Sequence, residues 1–179
     1  VAYTSIAREH EAVRTTCGLF DVSHMGVVDI RGEHAQRFLD AVTTNYVAWL
    51  RDGQGHYSYL CDVDGSVLDD ILVYRIRWDN YMMVVNAANE DKDIAHLQAM
   101  ASGDYRLDDR FPGRLPELPV QVRSLKDRAS GGDMRVDLAL QGPRGFDILR
   151  AATDNRALID ELERKGRFEF VKGEIVPGL

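Results

Sequence analysis

The stretch GHYSYLCDVDGSVLDDILVYRI, residues 55 to 76, decides the fold, because two β-rich runs flank the dipeptide Asp64-Gly65. Asp-Gly tolerates the positive φ angles of a tight turn, so the pattern predicts an antiparallel β-hairpin. A turn of two residues would pair Val63 with Ser66 and would set the register of both strands. The register then places Leu68 opposite Cys61, Asp70 opposite Tyr59 and Leu72 opposite Tyr57.

This register separates the adjacent aspartates Asp69 and Asp70, because side chains alternate between the two faces of a sheet. Asp69 falls on an aliphatic face, where a structural role is expected because a buried carboxylate needs hydrogen-bond donors. Its neighbours on that face are Leu60, Ile71 and Val73. Asp70 falls on the other face, together with Tyr57, Tyr59, Leu68, Leu72 and Tyr74.

The Asp70 face is an aromatic surface with one carboxylate, which suits a flat, nitrogen-rich ligand that stacks and donates a hydrogen bond. The same carboxylate would stabilise a cation that develops during a reaction. The residues alone leave open the simpler alternative, in which both aspartates only pair or cap within the sheet. Calcium binding by DVDGSVLDD is not expected, because Gly65 follows the second aspartate directly and the spacing fails the calcium-loop pattern. We therefore expect no metal.

The rest of the chain alternates strands with helices. Apolar spacing predicts helices over 5–14, 33–43, 90–101 and 155–165, and one that begins near Pro143. Strands are expected in GVVDIRG, YMMVVNA, VQVRSL and MRVDLALQGP, with a second hairpin beginning in RFEFVKGEIV. Asn89 is expected to cap the helix at Glu90. Asn86 is either a turn residue or an amide that binds a heteroaromatic ring. Strand pairs mixed with helices favour an α+β fold.

Composition excludes several classes of function. The net charge is -7 and the basic residues are scattered, so no nucleic-acid partner is expected. No apolar segment approaches the ~20 residues that span a bilayer, so no membrane role is expected. Cys17 and Cys61 lie outside any CxxC pattern, which fits a cytoplasmic protein without zinc or disulfides. The chain lacks an initial methionine and stops just as an apolar segment begins after Lys172-Gly173, so we expect a fragment.

Four blocks, in this order, resemble the glycine-cleavage T-protein family of tetrahydrofolate-dependent aminomethyltransferases. They are EHEAVRTTCGLFDVSHMGVVDIRG, YSYLCDVDGSVLDDILVYRI, YMMVVNAANEDKD and LALQGP. The resemblance implies the N-terminal half of a three-domain protein. In that interpretation residues 1–101 are a folate-binding α+β segment, residues 102–135 a Pro/Gly-rich loop and strand insertion, and residues 136–179 a continuation of the folate-binding region that ends before the C-terminal domain.

The resemblance also implies residue roles. Asp70, the second aspartate of the G-x-V-x-D-D motif, would be the catalytic residue near the reacting folate nitrogens. Leu72 and Tyr74 would line the folate site. Tyr57 and Met25 would pack on the cofactor, and Asn86 would hydrogen-bond it. All of these except Met25 and Asn86 lie on the face that the hairpin register gives to Asp70.

The implied reaction moves an aminomethyl group from the lipoyl arm of a partner, the lipoylated H-protein, to tetrahydrofolate and releases ammonia. The segment between Asn86 and Gln141 is longer than in the family, which leaves the partner and the small-molecule donor open. One alternative is a tetrahydrofolate-dependent demethylase that acts on a small methylated substrate. Another is a non-catalytic folate-binding assembly factor.

Overall fold

A computed structural model of the chain describes residues 3–104 and 119–175. The chain divides into two compact units. The terminal unit contains Val1–Ser23 and Asp137–Leu179, and the central unit contains His24–Val136. Antiparallel sheets combined with helices confirm the α+β prediction. The predicted division at residues 101 and 135 remains a prediction, although the strand in the proposed insertion is part of the central unit.

The described residues form seven strands and five α-helices, with short 3-10 helices at Val47–Trp49 and Arg128–Asp133. The helices are α1 Ile6–Thr15, α2 Ala35–Val42, α3 Glu90–Ser102, α4 Gly145–Ala152 and α5 Arg156–Glu163. The strands are β1 Gly18–Asp21, β2 Gly26–Arg31, β3 Gln54–Cys61, β4 Val67–Arg77, β5 Asn80–Val85, β6 Gln121–Ser124 and β7 Leu138–Gln141.

The central unit is a five-stranded antiparallel sheet in the order β3-β4-β5-β2-β6. Helices α2 and α3 cover one face, because apolar residues recur at helical spacing in α2 and at alternate positions in the strands. This core includes Phe38 and Leu39 of α2, Leu97 of α3, and Ile71 and Met83 of the sheet. The opposite face of β3, β4 and β5, which we call the open face, carries Tyr57, Tyr59, Asp70, Leu72, Tyr74, Met82 and Val84.

The predicted hairpin register is confirmed where it matters for Asp70. Tyr59 pairs with Asp70 and Tyr57 pairs with Leu72. The predicted tip is wrong, because the loop has three residues and closes with Asp62 N–H donating to the carbonyl of Ser66 at 2.8 Å. Gly65 supplies the left-handed conformation that this loop needs, with φ of 86°.

A β-bulge in the hairpin compensates for the longer loop. Cys61 pairs with Val67 and not with Leu68, and the register shifts between Leu60 and Cys61. Leu68 is therefore the extra residue of the bulge. Beyond it, Leu60 pairs with Asp69, as the alternation of side chains predicts.

The terminal unit contains a strand that the sequence pattern does not predict separately. β1 pairs with β7 from Gly18 opposite Gln141 to Asp21 opposite Leu138. The hairpin expected in RFEFVKGEIV stays a prediction, because it extends beyond the described residues; within them the chain turns at Phe168 with φ of 62°. Most of the predicted Pro/Gly-rich loop over 102–119 lies outside the described residues.

Candidate functional site

Most of the predicted site residues occupy adjacent cross-strand rows of the open face. Tyr59 pairs with Asp70, and continuing the β4–β5 register by two residues brings Asn86 beside Asp70. Met25 directly precedes Gly26 of β2, the last residue that pairs with β5, opposite Val85. The row therefore contains Tyr59, Asp70 and Asn86, and Met25 lies at the adjacent end of β2.

The next row holds the apolar part of the site. Tyr57 pairs with Leu72, Leu72 with Val84, and Val84 with Val27. The side chains of Tyr57 and Tyr59 are 53% and 50% exposed, so both rings are accessible for stacking. Asp70 is also exposed. The row of Asp70 thus borders a surface of tyrosine rings and aliphatic side chains.

Tyr74 lies in the third row and its ring covers a glycine. It pairs with Gly55 of β3 and with Met82 of β5. A Cβ atom on Gly55 would lie 2.5 Å from Cδ1 of Tyr74, closer than any real contact. Gly55 therefore allows the half-buried Tyr74 ring to lie against the strand.

Asn86 connects the two faces of β4. Its Nδ2 donates to Oδ1 of Asp70 at 3.1 Å and to Oδ1 of Asp69 at 2.9 Å. Its backbone N–H donates to Oδ2 of Asp69 at 2.9 Å. This is possible because Asn86 follows the last residue of β5, where the chain leaves the sheet and its side chain can reach past the strand edge. Asn86 therefore fixes the carboxylates of two residues that point to opposite sides.

Asp69 has the structural role expected of a buried carboxylate. Its side chain is in the covered face and the residue is only 4% exposed. Besides the two bonds from Asn86, it accepts a 2.6 Å hydrogen bond from Nδ2 of Asn89. Burial acts to raise the pKa of Asp69, but the hydrogen bonds from Asn86 and Asn89 hold that pKa below its usual value. Asp69 is therefore ionised at neutral pH.

The prediction that Asn89 caps α3 needs correction. Asn89 occupies the N-cap position, but its side chain makes no capping hydrogen bond. Its Nδ2 is directed to Asp69, and its Oδ1 accepts a 3.0 Å hydrogen bond from Nζ of Lys92. These two charge-assisted hydrogen bonds set the orientation of the amide, so its Oδ1 accepts from the ammonium of Lys92 and not from a backbone N–H of α3. The start of α3 is therefore fixed to β4.

A charge cluster around the buried Asp29 borders the site on the side of β2 and β6. Asp29 is 2% exposed and bonds Nε of Arg31 at 2.9 Å and Nε of Arg123 at 2.8 Å. Both arginines also contact Asp133. Hydrogen bonds to Asp29 and Asp133 raise the pKa of Arg123. The two arginines balance the charges of the two aspartates, so this cluster stabilises the sheet. Asp70 is the exposed carboxylate of the cross-strand rows described above.

The described residues contain neither a cluster of metal-ligating side chains nor a helix that could cross a membrane. Within the described ranges, no group of three or more His, Cys, Asp and Glu side chains could hold a metal ion. Among the helices that the structure describes, none has the length and apolar character needed to cross a membrane.

Sequence reasoning placed Tyr59 opposite Asp70 but gave it no role in the site, and it missed Asp93 entirely. The hairpin register already places Tyr59 on the face of Asp70, and its pairing with Asp70 is the sequence signal for a role in the site. Asn86, Asn89 and Asp93 recur at intervals of three and four residues, the spacing of one helix face. That spacing predicts that the three side chains act together at the start of α3.

Comparison with known proteins identifies the family of the chain. Residues 2–172 match the family of GCVT N-terminal domains. The chain belongs to this family. The resemblance to the glycine-cleavage T-protein family inferred from the four sequence blocks is thereby confirmed. The roles of Asp70, Met25, Tyr57, Leu72, Tyr74 and Asn86 remain predictions.

Individual relatives carry the name aminomethyltransferase. The chain is 37% identical over 174 residues to the aminomethyltransferase of Bacillus subtilis, covering 93% of this chain and 42% of the relative. It is 50% identical over 153 residues to that of Anoxybacillus flavithermus, covering 86% and 36%. The chain spans about two fifths of the length of these relatives.

A solved structure shows the same fold. The glycine cleavage system aminomethyltransferase T from Bartonella henselae superposes with a TM-score of 0.66 at 34% sequence identity. The match covers 81% of this chain and 34% of that structure. The chain therefore shares the fold of the matching part of that T-protein.

Proposed function

We propose that the full-length protein is the aminomethyltransferase, or T-protein, of a glycine cleavage system. It would transfer a one-carbon unit from an aminomethyl group on the lipoyl arm of an H-protein to tetrahydrofolate, and it would release ammonia. The observation that carries the proposal is the exposed carboxylate of Asp70, held by Asn86 beside the tyrosines of the open face, in a chain of the GCVT N-terminal domain family.

The open face fits a flat, nitrogen-rich ring. Tyr57 and Tyr59 expose rings for stacking, and Leu72 and Val84 provide an aliphatic floor. Asp70 can accept hydrogen bonds from ring N–H groups. The Nδ2 of Asn86 is occupied by the two aspartates, whereas no described residue donates to its Oδ1, so this oxygen can accept a further bond from the ligand.

Tetrahydrofolate would supply the ring nitrogens that receive the one-carbon unit. The contribution of this chain is orientation and electrostatics. Tyr57, Leu72, Tyr74 and Met25 would orient the ring, so that the reacting groups meet in one geometry. Asp70 would stabilise the positive charge that develops on the one-carbon unit as its amine departs, because a carboxylate fixed beforehand needs no reorganisation during the reaction.

The partner and the compartment are part of the same proposal. An H-protein carrying its lipoyl arm would deliver the donor to the open face. Cys17 and Cys61 are both free thiols, which agrees with a reducing compartment such as the cytoplasm.

Product analysis tests the proposal. Full-length protein is incubated with tetrahydrofolate and with H-protein that carries the aminomethyl group on its lipoyl arm. We expect release of ammonia and formation of 5,10-methylenetetrahydrofolate, both dependent on the H-protein. Unmodified H-protein without lipoate is the matched control and should give no product.

Two other outcomes would contradict the proposal in different ways. Formation of 5-methyltetrahydrofolate from a small methylated donor, without H-protein, would identify a demethylase. Folate binding without turnover of either donor would identify a non-catalytic folate-binding factor.

A further inference from the structure

Asp93 is a buried acid that the proposed reaction does not use. It lies in the first turns of α3 and is 0% exposed. Neither of its carboxyl oxygens receives a hydrogen bond from the described residues. An ionised carboxylate without donors is costly to bury, so the surroundings of Asp93 favour a neutral acid.

Asp93 lies one helical turn after Asn89, whose carbonyl accepts from the backbone N–H of Asp93 at 2.8 Å and whose Nδ2 donates to Asp69 at 2.6 Å. This places the buried side chain of Asp93 on the Asp69 side of α3, where each carboxyl group shifts the pKa of the other. Two ionised carboxylates could not bond, because neither has a proton to donate. With one proton on Asp93, its O–H group donates a hydrogen bond to the carboxylate of Asp69. This bond gives the Asp93 carboxyl group the partner that it otherwise lacks. Burial, the hydrogen bond to Asp69 and the charge of Asp69 raise the pKa of Asp93 to about 7.

We propose that Asp93 is a positioning residue: its protonated carboxyl group donates a hydrogen bond to Asp69 and thereby holds Asp69 against Asn86, which in turn fixes Asp70. Asp93 itself touches no substrate. Its effect on turnover rests on the proposed function, whereas the proton and the contact with Asp69 do not.

The path from Asp93 to Asp70 is short and consists of direct hydrogen bonds. Nδ2 of Asn86 lies 2.9 Å from Oδ1 of Asp69 and 3.1 Å from Oδ1 of Asp70. A displacement of Asp69 therefore changes the position of the same amide group that holds Asp70. Nδ2 of Asn89 donates to the same Oδ1 of Asp69 at 2.6 Å, and the backbone N–H of Asn86 donates to Oδ2 at 2.9 Å, so both oxygens of Asp69 are held in place.

Loss of the proton from Asp93 would place two negative charges side by side in the covered face. The charged groups that act on Asp93 are Asp69 of β4 and Lys92 of its own helix. Nζ of Lys92 is 3.9 Å from Asp93 and is already held by the carbonyl of Leu68 at 2.8 Å. On the side of β6, Lys126 is paired with Glu90. Repulsion would therefore move Asp69 and loosen Asn86 from Asp70.

The first experiment detects the proton directly. Full-length protein with ¹³C-labelled aspartate carboxyls is titrated by NMR from about pH 5 to about pH 9, and the side-chain amide of Asn86 is followed in parallel. We expect one carboxyl carbon and the Asn86 amide to titrate together with a pKa of about 7. In Asp93→Asn both transitions should vanish. Asp91→Asn, which removes an exposed carboxylate from the same turn, should leave both unchanged.

The second experiment measures turnover. The kcat of the wild type should fall as the pH rises above about 7. Asp93→Asn, which always has an N–H for Asp69, should lack this fall and should match the wild type below it. Asp93→Ala should lose kcat by about tenfold to a hundredfold at every pH, with a smaller change in the folate KM.

Specific results would overturn the inference. The proposed contact would be contradicted if Asp93 were ionised at about pH 5. It would also be contradicted if the Asn86 amide did not respond to the titration of Asp93. Both results count whether or not the protein turns over substrate. Identical pH profiles of kcat for the wild type and Asp93→Asn remove the positioning role. A wild type without aminomethyl transfer contradicts the proposed function alone, since the NMR result still decides the inference about the proton.

Discussion

The two faces of strand β4 differ in nearly every physical property although their residues alternate along one chain. On the covered face, Asp69, Ile71 and Val73 are at most 4% exposed and contact the core or fixed amide groups. On the open face, Asp70 is exposed, and its neighbours across the strand pair, Tyr57 and Tyr59, are half exposed. The covered face thus provides the stability, and the open face carries the groups available to a ligand.

Asn86 is the point at which the two faces depend on each other. Its side chain bonds one aspartate from each face, so the exposed carboxylate is positioned by the buried one. A substitution in the covered face can therefore alter the open face without touching a ligand. Substitutions of adjacent residues along β4 test how far the stability provided by one face is independent of the turnover attributed to the other.

The largest expected effect is on turnover. Under the proposed function, Asp70→Asn in the full-length protein should lower kcat by about 10²- to 10³-fold, because the charge proposed to face the developing cation is lost. Its free energy of unfolding should stay within about 0.5 kcal/mol of the wild type, since the side chain is exposed. Kinetics and urea denaturation measure the two quantities. Asp69→Asn is the matched control and should affect stability more and turnover less. Unchanged kcat in Asp70→Asn would remove the assignment.

The next largest effect is on stability, and it compares two adjacent residues of β4 that lie on opposite faces of the sheet. Ile71→Ala should lower the free energy of unfolding by about 2 to 5 kcal/mol, because it leaves a cavity in the core. Leu72→Ala, on the open face, should cost only about 1 kcal/mol but should raise the KM for tetrahydrofolate. Urea denaturation and steady-state kinetics check both. Equal losses of stability at the two positions would show that the open face is covered in the working protein.

A smaller effect is expected where the open face is shaped by a glycine. Gly55→Ala should displace the Tyr74 ring, cost about 1 to 3 kcal/mol of stability and raise the folate KM. A double-mutant cycle with Tyr74→Ala checks the cause, because the alanine at residue 55 should cost less once the ring is absent. Additive losses would show that the backbone near Val73, and not the ring, is what the new methyl group meets.

The last expected effect is a slope in the dependence of stability on pH. The folded protein binds the proton of Asp93 up to about pH 7, whereas the unfolded chain releases it near its ordinary value of 3.8. The free energy of unfolding should therefore fall as pH rises between these values and level off above them. His56 and His96 contribute the opposite slope, because burial lowers their pKa values. The difference between wild type and Asp93→Asn isolates Asp93, and parallel curves would contradict its raised pKa.

Much of the central unit could be predicted from the sequence because its signals are local and periodic. Alternating apolar residues and Asp64-Gly65 were sufficient to place Asp70 opposite Tyr59. The same alternation assigned Asp69 to the covered face. The tip was wrong in two respects that cancel, since a loop longer by one residue is offset by the bulge at Leu68. Neither feature leaves a clear composition signal, because a bulge depends on local backbone angles.

The remaining features depend on contacts between distant parts of the chain. The pairing of β1 with β7 joins residues 18 and 141, and four-residue strands carry little periodic signal. Asn89 satisfied the rule for a helix cap, yet packing brought the Asp69 carboxylate within 2.6 Å and the amide bonds that group. Asp93 resembled any acidic residue of a first helical turn until its burial was known. Such residues are set by tertiary packing and not by propensity.

The bulge at Leu68 has a consequence for how this hairpin can change during evolution. Because Leu68 is unpaired, deleting it would leave Cys61 opposite Val67 and Leu60 opposite Asp69. The length of the tip can therefore vary by one residue while Asp70 stays beside Tyr59. Insertions and deletions in relatives should accordingly accumulate between Asp62 and Leu68, and the strand positions from Asp69 onward should keep a constant length.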